Sequence, residues 1–405
     1  MNARRERVEA DRSNASLGAA VLSRRRWLRR CLGGGAGVAW AGLVNRSLWP
    51  GRGGRCLACE EQPSQASGDV PWLAEVQRAP TTLPEDAPQL APLLVDARGK
   101  RIVDRRAWEE RRGELRREWL TFLGAYSGRR TPPQLEVLEE DRPDACLRQL
   151  IRYESEPGLP VEAYLLRPQD AATGRNVKLP GAVALHSTVD YTIRQPAGLE
   201  GDPNLFFGLE LARRGFVVCC PRCFLWNAPG GYQEQVARTQ ERHPGSTGMA
   251  KMLWDALRAV DLLESLPEVD PRRLGAIGHS LGAKETLYLA AFDERIRAAV
   301  FSEGGVGIAF SNWDAPWYLG NVVAREQWPH DHHELLALVA PRPMLLVGGN
   351  SADGDRSWPY VEAVLPVYAL YGDPARIGLL NHGQGHALPA EAANKAYEWL
   401  ETYCA

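Results

Sequence analysis

The sequence predicts an α/β fold: a mostly parallel central sheet flanked by helices, with an N-terminal helical arm. Three observations predict it. Short apolar runs bounded by Gly and Pro recur beyond position 180, as the central strands of a doubly covered sheet do. Helical stretches separate those runs one by one, which is the order that parallel βαβ units require. The 405 residues, 44% hydrophobic and 24% charged, suffice for one large domain with extensions.

The first 59 residues read as an address. They hold 12 Arg, no Lys and three acids, a net charge of +9, which leaves −11 on the rest of a chain whose total is −2. An acidic body disfavours nucleic acid as a partner. Arg24, Arg25 and Arg26 precede Trp27 and Leu28, and an uncharged Gly- and Ala-rich stretch follows over 31–45. This pattern is similar to a twin-arginine export signal, with Trp27 where Phe is usual. The expected location is therefore periplasmic or in the cell envelope. No uncharged apolar run reaches the 18 residues of a spanning helix.

Residues 60–132 read as a linker and an amphipathic helix. Over 60–95 Pro, Gln, Ser and acids dominate without a period, the composition of an arm over the surface. Trp108, Leu115, Trp119, Leu120 and Leu123 then recur at helical spacing, and Gly124 stops the pattern. The domain proper is expected over 133–405. It opens with three strand-like runs near 135–138, 147–153 and 161–166, punctuated as a meander. Later runs at 182–186, 216–220, 274–277, 298–301, 343–347 and 376–380 alternate with helices near 205–213, 249–266, 281–291, 360–371 and 391–403. Residues 221–248 read as a long loop, and a Trp-rich insertion follows 301. Cys220 and Cys223, spaced C-x-x-C beside a buried strand, read as packed thiols.

Gly278-His279-Ser280-Leu281-Gly282 falls between a buried run and a helix. In that context G-x-S-x-G is a tight turn that lifts a serine hydroxyl out of the sheet. A serine needs a base, and the base needs a carboxylate. His386 and His382 follow the last strand in a Gly-rich loop; His386 is the expected base. Asp355 and Asp353 follow the strand at 343–347; Asp355 is the expected acid, with Asp353 the alternative. The order Ser280, Asp355, His386 matches the order in which strand ends deliver such a triad. The oxyanion donors expected are the backbone N–H groups of Leu281 and of Thr188, with Ser187 second.

The stretch 153–168, Glu268-Val269-Asp270-Pro271-Arg272, the serine turn, Ala340-Pro341-Arg342-Pro343 and Gly385-His386 together make the region from about 145 to 403 resemble the α/β-hydrolase superfamily. Within it the chain is similar to the dienelactone hydrolase and acetyl xylan esterase-like branch. The resemblance implies a carboxylic-ester hydrolase working through an acyl-enzyme, with no metal and no organic cofactor, on a small-molecule or carbohydrate ester. Dienelactone hydrolases proper carry Cys where this chain has Ser280, which favours ordinary esters over lactones. Lys284 stands four residues after Ser280, as a lysine does in glucuronoyl esterases, and in those enzymes an acid in the position of Glu303 takes the carboxylate role. Glu303 therefore competes with Asp355, and Lys284, Glu303 and Trp313 are candidate substrate residues. Trp226, Trp313, Trp317, Trp328 and Trp358 are placed in loops beyond the strand ends, for sugar stacking or for packing a lid. His330-Asp331-His332-His333-Glu334 reads as helix entry and packing, with Asp331 as cap, since adjacent His332 and His333 face different sides. A serine peptidase of similar fold and a non-catalytic binding protein are the competing readings.

Overall fold

A computed structural model describes residues 68–404, except 125, 127–130, 170–177, 326, 327 and 373. The expected export signal lies outside the described residues. These residues belong to one unit, Pro63–Ala405.

Nine strands form one sheet: β1 (Leu135–Asp141), β2 (Cys146–Glu156), β3 (Leu159–Pro168), β4 (Leu179–Leu185), β5 (Val217–Pro221), β6 (Val269–His279), β7 (Ile296–Ser302), β8 (Met344–Gly348) and β9 (Ile377–Asn381). Their spatial order is β1-β2-β3-β5-β4-β6-β7-β8-β9. The first three form the expected meander, and β3 meets β5 antiparallel. From β5 to β9 every neighbouring pair is parallel.

The parallel strands are covered on both faces. One face carries α2 (Arg105–Leu123), α5 (Gly248–Ser265), α6 (Leu281–Phe292), α7 (His333–Val339) and α8 (Trp358–Ala369). The other carries α1 (Leu73–Val76), α3 (Phe207–Arg213) and α9 (Ala390–Tyr403). Strand β4 shows the cause: Val183 and Leu185 enter the first core, Ala182 and Ala184 the second. A strand apolar on both sides has nowhere to sit but between two helical layers.

Three expectations change. The stretch after 67 is no loose arm: Val70, Trp72, Leu73 and Val76 are buried, and Gln77 Nε2 donates to the Ile377 carbonyl at 3.0 Å. The expected loop after β5 holds a helix, α4 (Tyr232–Arg242), whose buried side chains are Gln235, Val236 and Thr239. With one aliphatic residue on its inner face it left no apolar period to read. Asp331 does not cap α7; its carboxylate accepts from the N–H groups of Ile308 and His332 and from the Tyr360 hydroxyl. His332 and His333 are buried, and His332 is held between the Tyr288 hydroxyl (2.9 Å) and the Val306 carbonyl (2.8 Å). Elsewhere the ends behave as their residues dictate: the Asp104 side chain caps α2 and Gly124 closes it with φ 63°.

Candidate active site

Ser280 leaves β6 with φ 58°, in a region that L-residues avoid, and α6 starts at the next residue. Its own N–H donates to the Ser302 carbonyl at 2.8 Å, which locks the turn to the end of β7. The turn closes only because position 282 lacks a side chain. A Cβ on Gly282 would lie 2.3 Å from the Leu185 carbonyl oxygen, so α6 enters directly against the end of β4. Ser280 is partly exposed, while the strand and helix around it are buried.

Glu303 is the next residue beyond β7, also at positive φ (51°). Its N–H still donates to Val347 of β8 at 2.9 Å, so the strained residue is pinned to the sheet. Its side chain has no exposed surface. The carboxylate accepts from the N–H groups of Gly349 and of Ala352, the latter at 2.7 Å, and from His386 Nδ1 at 3.2 Å. Burial pushes this carboxyl up, but His386 and the two backbone donors outweigh it and hold the group below its ordinary value. An ionised carboxylate on Nδ1–H fixes the tautomer that leaves His386 Nε2 as proton acceptor. The His386 side chain is half exposed. Its ring centroid is 4.8 Å from that of His279, the residue immediately before Ser280. His279 itself is buried and pushed down to about 3, so it stays neutral beside His386.

The loop carrying His386 is docked by backbone bonds: His382 N–H to Gly348 O at 2.8 Å and Gly385 N–H to Gly349 O at 2.7 Å. Gly349 permits this approach, since a Cβ there would meet the Gly385 carbonyl oxygen at 2.0 Å. His382 is turned to structural use: its Nδ1 accepts from the Gln384 N–H at 3.1 Å.

The structure thus brings Ser280, Glu303 and His386 to neighbouring strand ends and leaves the expected acid aside. Asp355 accepts from Asn381 Nδ2 at 2.7 Å and makes no bond to His386 among the described contacts. Asp353 is buried and its carboxylate is taken up elsewhere, accepting from Gly305 N–H (2.6 Å), Val306 N–H (2.8 Å) and Ser357 Oγ (2.9 Å). It ties down the loop that follows Glu303. No pattern in the sequence marks that task. Gly349 directly after β8 was the available signal for the donors that hold Glu303.

Leu281 is the first residue of α6, where an N–H has no acceptor within the helix. On the opposite wall Ser187 is excluded as a donor, because its N–H is spent on Gln195 Oε1 at 2.9 Å. Thr188, next in line, is exposed. His186 is buried and structural, accepting from the Cys223 N–H through Nε2 at 3.1 Å.

Lys284 and Trp313 lie beneath this surface. Trp313 is fully buried and donates to the Gly305 carbonyl at 2.7 Å, so its ring meets Lys284 (Nζ 4.1 Å from the centroid) and offers no face to a sugar. Lys284 is 3% exposed and donates to Ser311 Oγ at 2.8 Å. Burial pushes its ammonium down to about 7, with Asp353 opposing. Trp358 is buried too, and Trp328 packs on Phe122 at 4.4 Å. Trp226 and Trp317 remain partly exposed, bridged edge-to-face by Tyr232. Among the described residues no cluster of three His, Cys, Asp or Glu side chains is placed to hold a metal ion, and no helix is long and apolar enough to cross a membrane. Cys146, Cys219, Cys220, Cys223 and Cys404 are buried thiols.

The dienelactone hydrolase family model matches residues 193–311. A Bacillus subtilis protein named as a hydrolase, YtaP, is 26% identical over 312 residues, covering 72% of this chain and 99% of that protein. The 4-O-methyl-glucuronoyl methylesterase of Cerrena unicolor is 30% identical over 131 residues, 25% of this chain and 27% of that enzyme. Among solved structures, a glucuronoyl esterase from Solibacter usitatus superposes with a TM-score of 0.62 at 19% identity, covering 79% of this chain and 98% of its own. The chain has the α/β-hydrolase fold, and the proteins it is similar to are named as a hydrolase and as carboxylic-ester hydrolases.

Proposed function

We propose that Ser280, His386 and Glu303 form the catalytic triad of an exported esterase acting on esters carried by carbohydrate. His386 Nε2 removes the Ser280 proton as Oγ attacks the ester carbonyl. The tetrahedral oxyanion lies against the N–H groups of Leu281 and Thr188. Its collapse expels the alkoxide, which takes the proton from His386, and leaves an acyl-serine. A water deprotonated by His386 then releases the acid and restores the serine. Glu303 stays ionised throughout and balances the imidazolium.

The observation that carries this reading is the bond from His386 to Glu303 at a strand end adjacent to the strained Ser280 turn. The carbohydrate side of the reading is supported by relatives named as glucuronoyl methylesterases and as a carbohydrate esterase. Export is supported by the paired arginines ahead of a weakly apolar stretch.

The test compares wild type with Ser280→Ala on a methyl ester of a glucuronic-acid-bearing xylo-oligosaccharide, an acetylated xylan fragment, p-nitrophenyl acetate and an aminoacyl nitroanilide. Serine-dependent cleavage of a sugar ester is expected. Equal rates in the two proteins, or amide cleavage well above ester cleavage, overturn the proposal.

A further inference from the structure

A cleft of about 390 Å³ opens on the antiparallel side of the site, and nothing in the triad uses it. Its floor is one cross-strand row. Glu139 of β1 opposes Leu150 of β2, and Leu150 opposes Tyr164 of β3; the next residue of the row, Cys220 of β5, is buried under α3. Residues directly opposed in a sheet share a face, so these three form a short floor perpendicular to the strands of β1 to β3. One wall is the segment from Asp190 to Arg194, which begins two residues after Thr188. The other is Arg222 with Trp226.

The cleft abuts the strand that neighbours the nucleophile's strand. Trp226 meets the His186 ring edge-on at 5.2 Å, and His186 is the first residue after β4. Strand β4 is the direct neighbour of β6, with Leu185 opposite Gly278, two residues before Ser280. Going outward, β4, β5, β3, β2 and β1 follow in order. At about 4.8 Å per strand, β1 lies roughly 24 Å across the sheet from β6.

The chemistry of the walls selects the occupant. Half-buried Trp226, Tyr164 and Tyr191 supply aromatic faces, Arg222 and the exposed Arg194 (its Nε paired with Glu200 at 3.0 Å) supply donors, and Asp190 and Glu139 supply acceptors. Arg222 keeps its donor fork partly free of protein: one terminal nitrogen meets Glu162 at 2.9 Å, while the buried Nε has no partner. A fatty acyl chain would strip water from four charged groups and return no hydrogen bonds. A sugar chain presents hydroxyls to both kinds of polar group and C–H faces to the rings.

We propose that this cleft binds the polysaccharide backbone that carries the ester, over several sugar units running from Ser280 toward β1. The inference rests on the esterase reading above and adds where the unreacted part of the substrate lies.

Two measurements separate the cleft from the chemistry. The first is calorimetric binding of unesterified xylohexaose to Ser280→Ala protein, with and without Tyr164→Ala plus Arg194→Ala. The double substitution is expected to weaken binding about tenfold; Arg194→Ala alone, at an exposed position, is expected to weaken it in the same direction. The second is turnover in the Ser280 background. The double variant is expected to lose about tenfold in kcat/KM on a xylohexaose-borne ester and to keep its rate on p-nitrophenyl acetate. Binding that is absent, or equal in all variants, overturns the cleft assignment even if esters are cleaved. Absence of ester cleavage with binding that still depends on Tyr164 and Arg194 overturns the esterase reading and leaves the cleft standing.

Discussion

His386 Nδ1 and Glu303 Oε2 stand 3.2 Å apart although 83 residues separate them in sequence. The carboxylate is sealed and receives two backbone N–H groups besides the imidazole. An amide in its place would present an NH2 to at least one of these three donors. Glu303→Gln is therefore expected to lower kcat about 10³-fold or more with the fold retained, as expected when the acid of a triad is neutralised. Asp355→Asn, whose partner is Asn381, is expected to stay within a few-fold of wild type. Steady-state kinetics on p-nitrophenyl acetate with circular dichroism checks both; the reverse ranking would restore Asp355 as the acid.

Asp353 sits under the same loop and is expected to show itself through stability. Burial pushes its carboxyl up to about 6, against the N–H groups of Val306 and Gly305 and the Ser357 hydroxyl. The groups facing it are Glu303 from the end of β7, Lys284 from α6, and Ser357 and Tyr360 at the start of α8. Between the ordinary value of 3.8 and about 6 the folded chain binds the extra proton, so this group's contribution falls as pH rises through that window. Asp353→Asn removes the titration. Its stability relative to wild type is expected to rise from pH 4 to pH 6 and level off above, read by urea denaturation at each pH. A flat difference would mean that Asp353 ionises normally.

Lys284 gives the opposite sign at higher pH. Its folded value of about 7 lies below the ordinary 10.5, so the unfolded chain holds the extra proton between them. Wild-type stability from this group rises as pH climbs from 7 toward 10 and is lost as pH falls through 7. Lys284→Met keeps the contact with Trp313 without a charge. It is expected to be more stable than wild type at pH 6, with the gap closing by pH 10. A gap that does not change with pH would show that the ammonium is not held down by burial.

Much of the fold was legible because its strands are apolar on both faces and its breaks are Gly and Pro, signals that survive in a single sequence. The serine turn was legible for the same reason: Gly278 and Gly282 mark where a strand and a helix touch. The acid was harder. Asp355 and Glu303 both follow strands, and sequence order alone cannot say which carboxylate turns inward. Here Gly349 and Ala352 donate to Glu303 across β7 and β8, a contact between segments 46 and 49 residues apart. Trp313 was misplaced for a related reason: an aromatic in an insertion reads alike whether it faces a ligand or a buried lysine. Helix α4 was invisible because its inner face is mostly Gln and Thr.

The dependence of the site on backbone contact yields a last prediction. A Cβ at position 282 would strike the Leu185 carbonyl oxygen at 2.3 Å and that of His186 at 2.9 Å, both backbone atoms that cannot rotate away. Gly282→Ala must then push α6 from β4, and with it Leu281 from Thr188. Misplacement of about 1 Å among reacting groups costs roughly 10²-fold, so kcat/KM is expected to fall by at least that much, with a lower melting temperature. Gly113→Ala in α2 is the control: its Cβ meets only a flexible Arg117 nitrogen at 3.4 Å, and a helix gains about 1 kcal/mol from that exchange. It is expected to be stabilised and fully active. If Gly282→Ala instead keeps its rate on p-nitrophenyl acetate within twofold, strand-to-helix contact is not what holds the oxyanion donors in line.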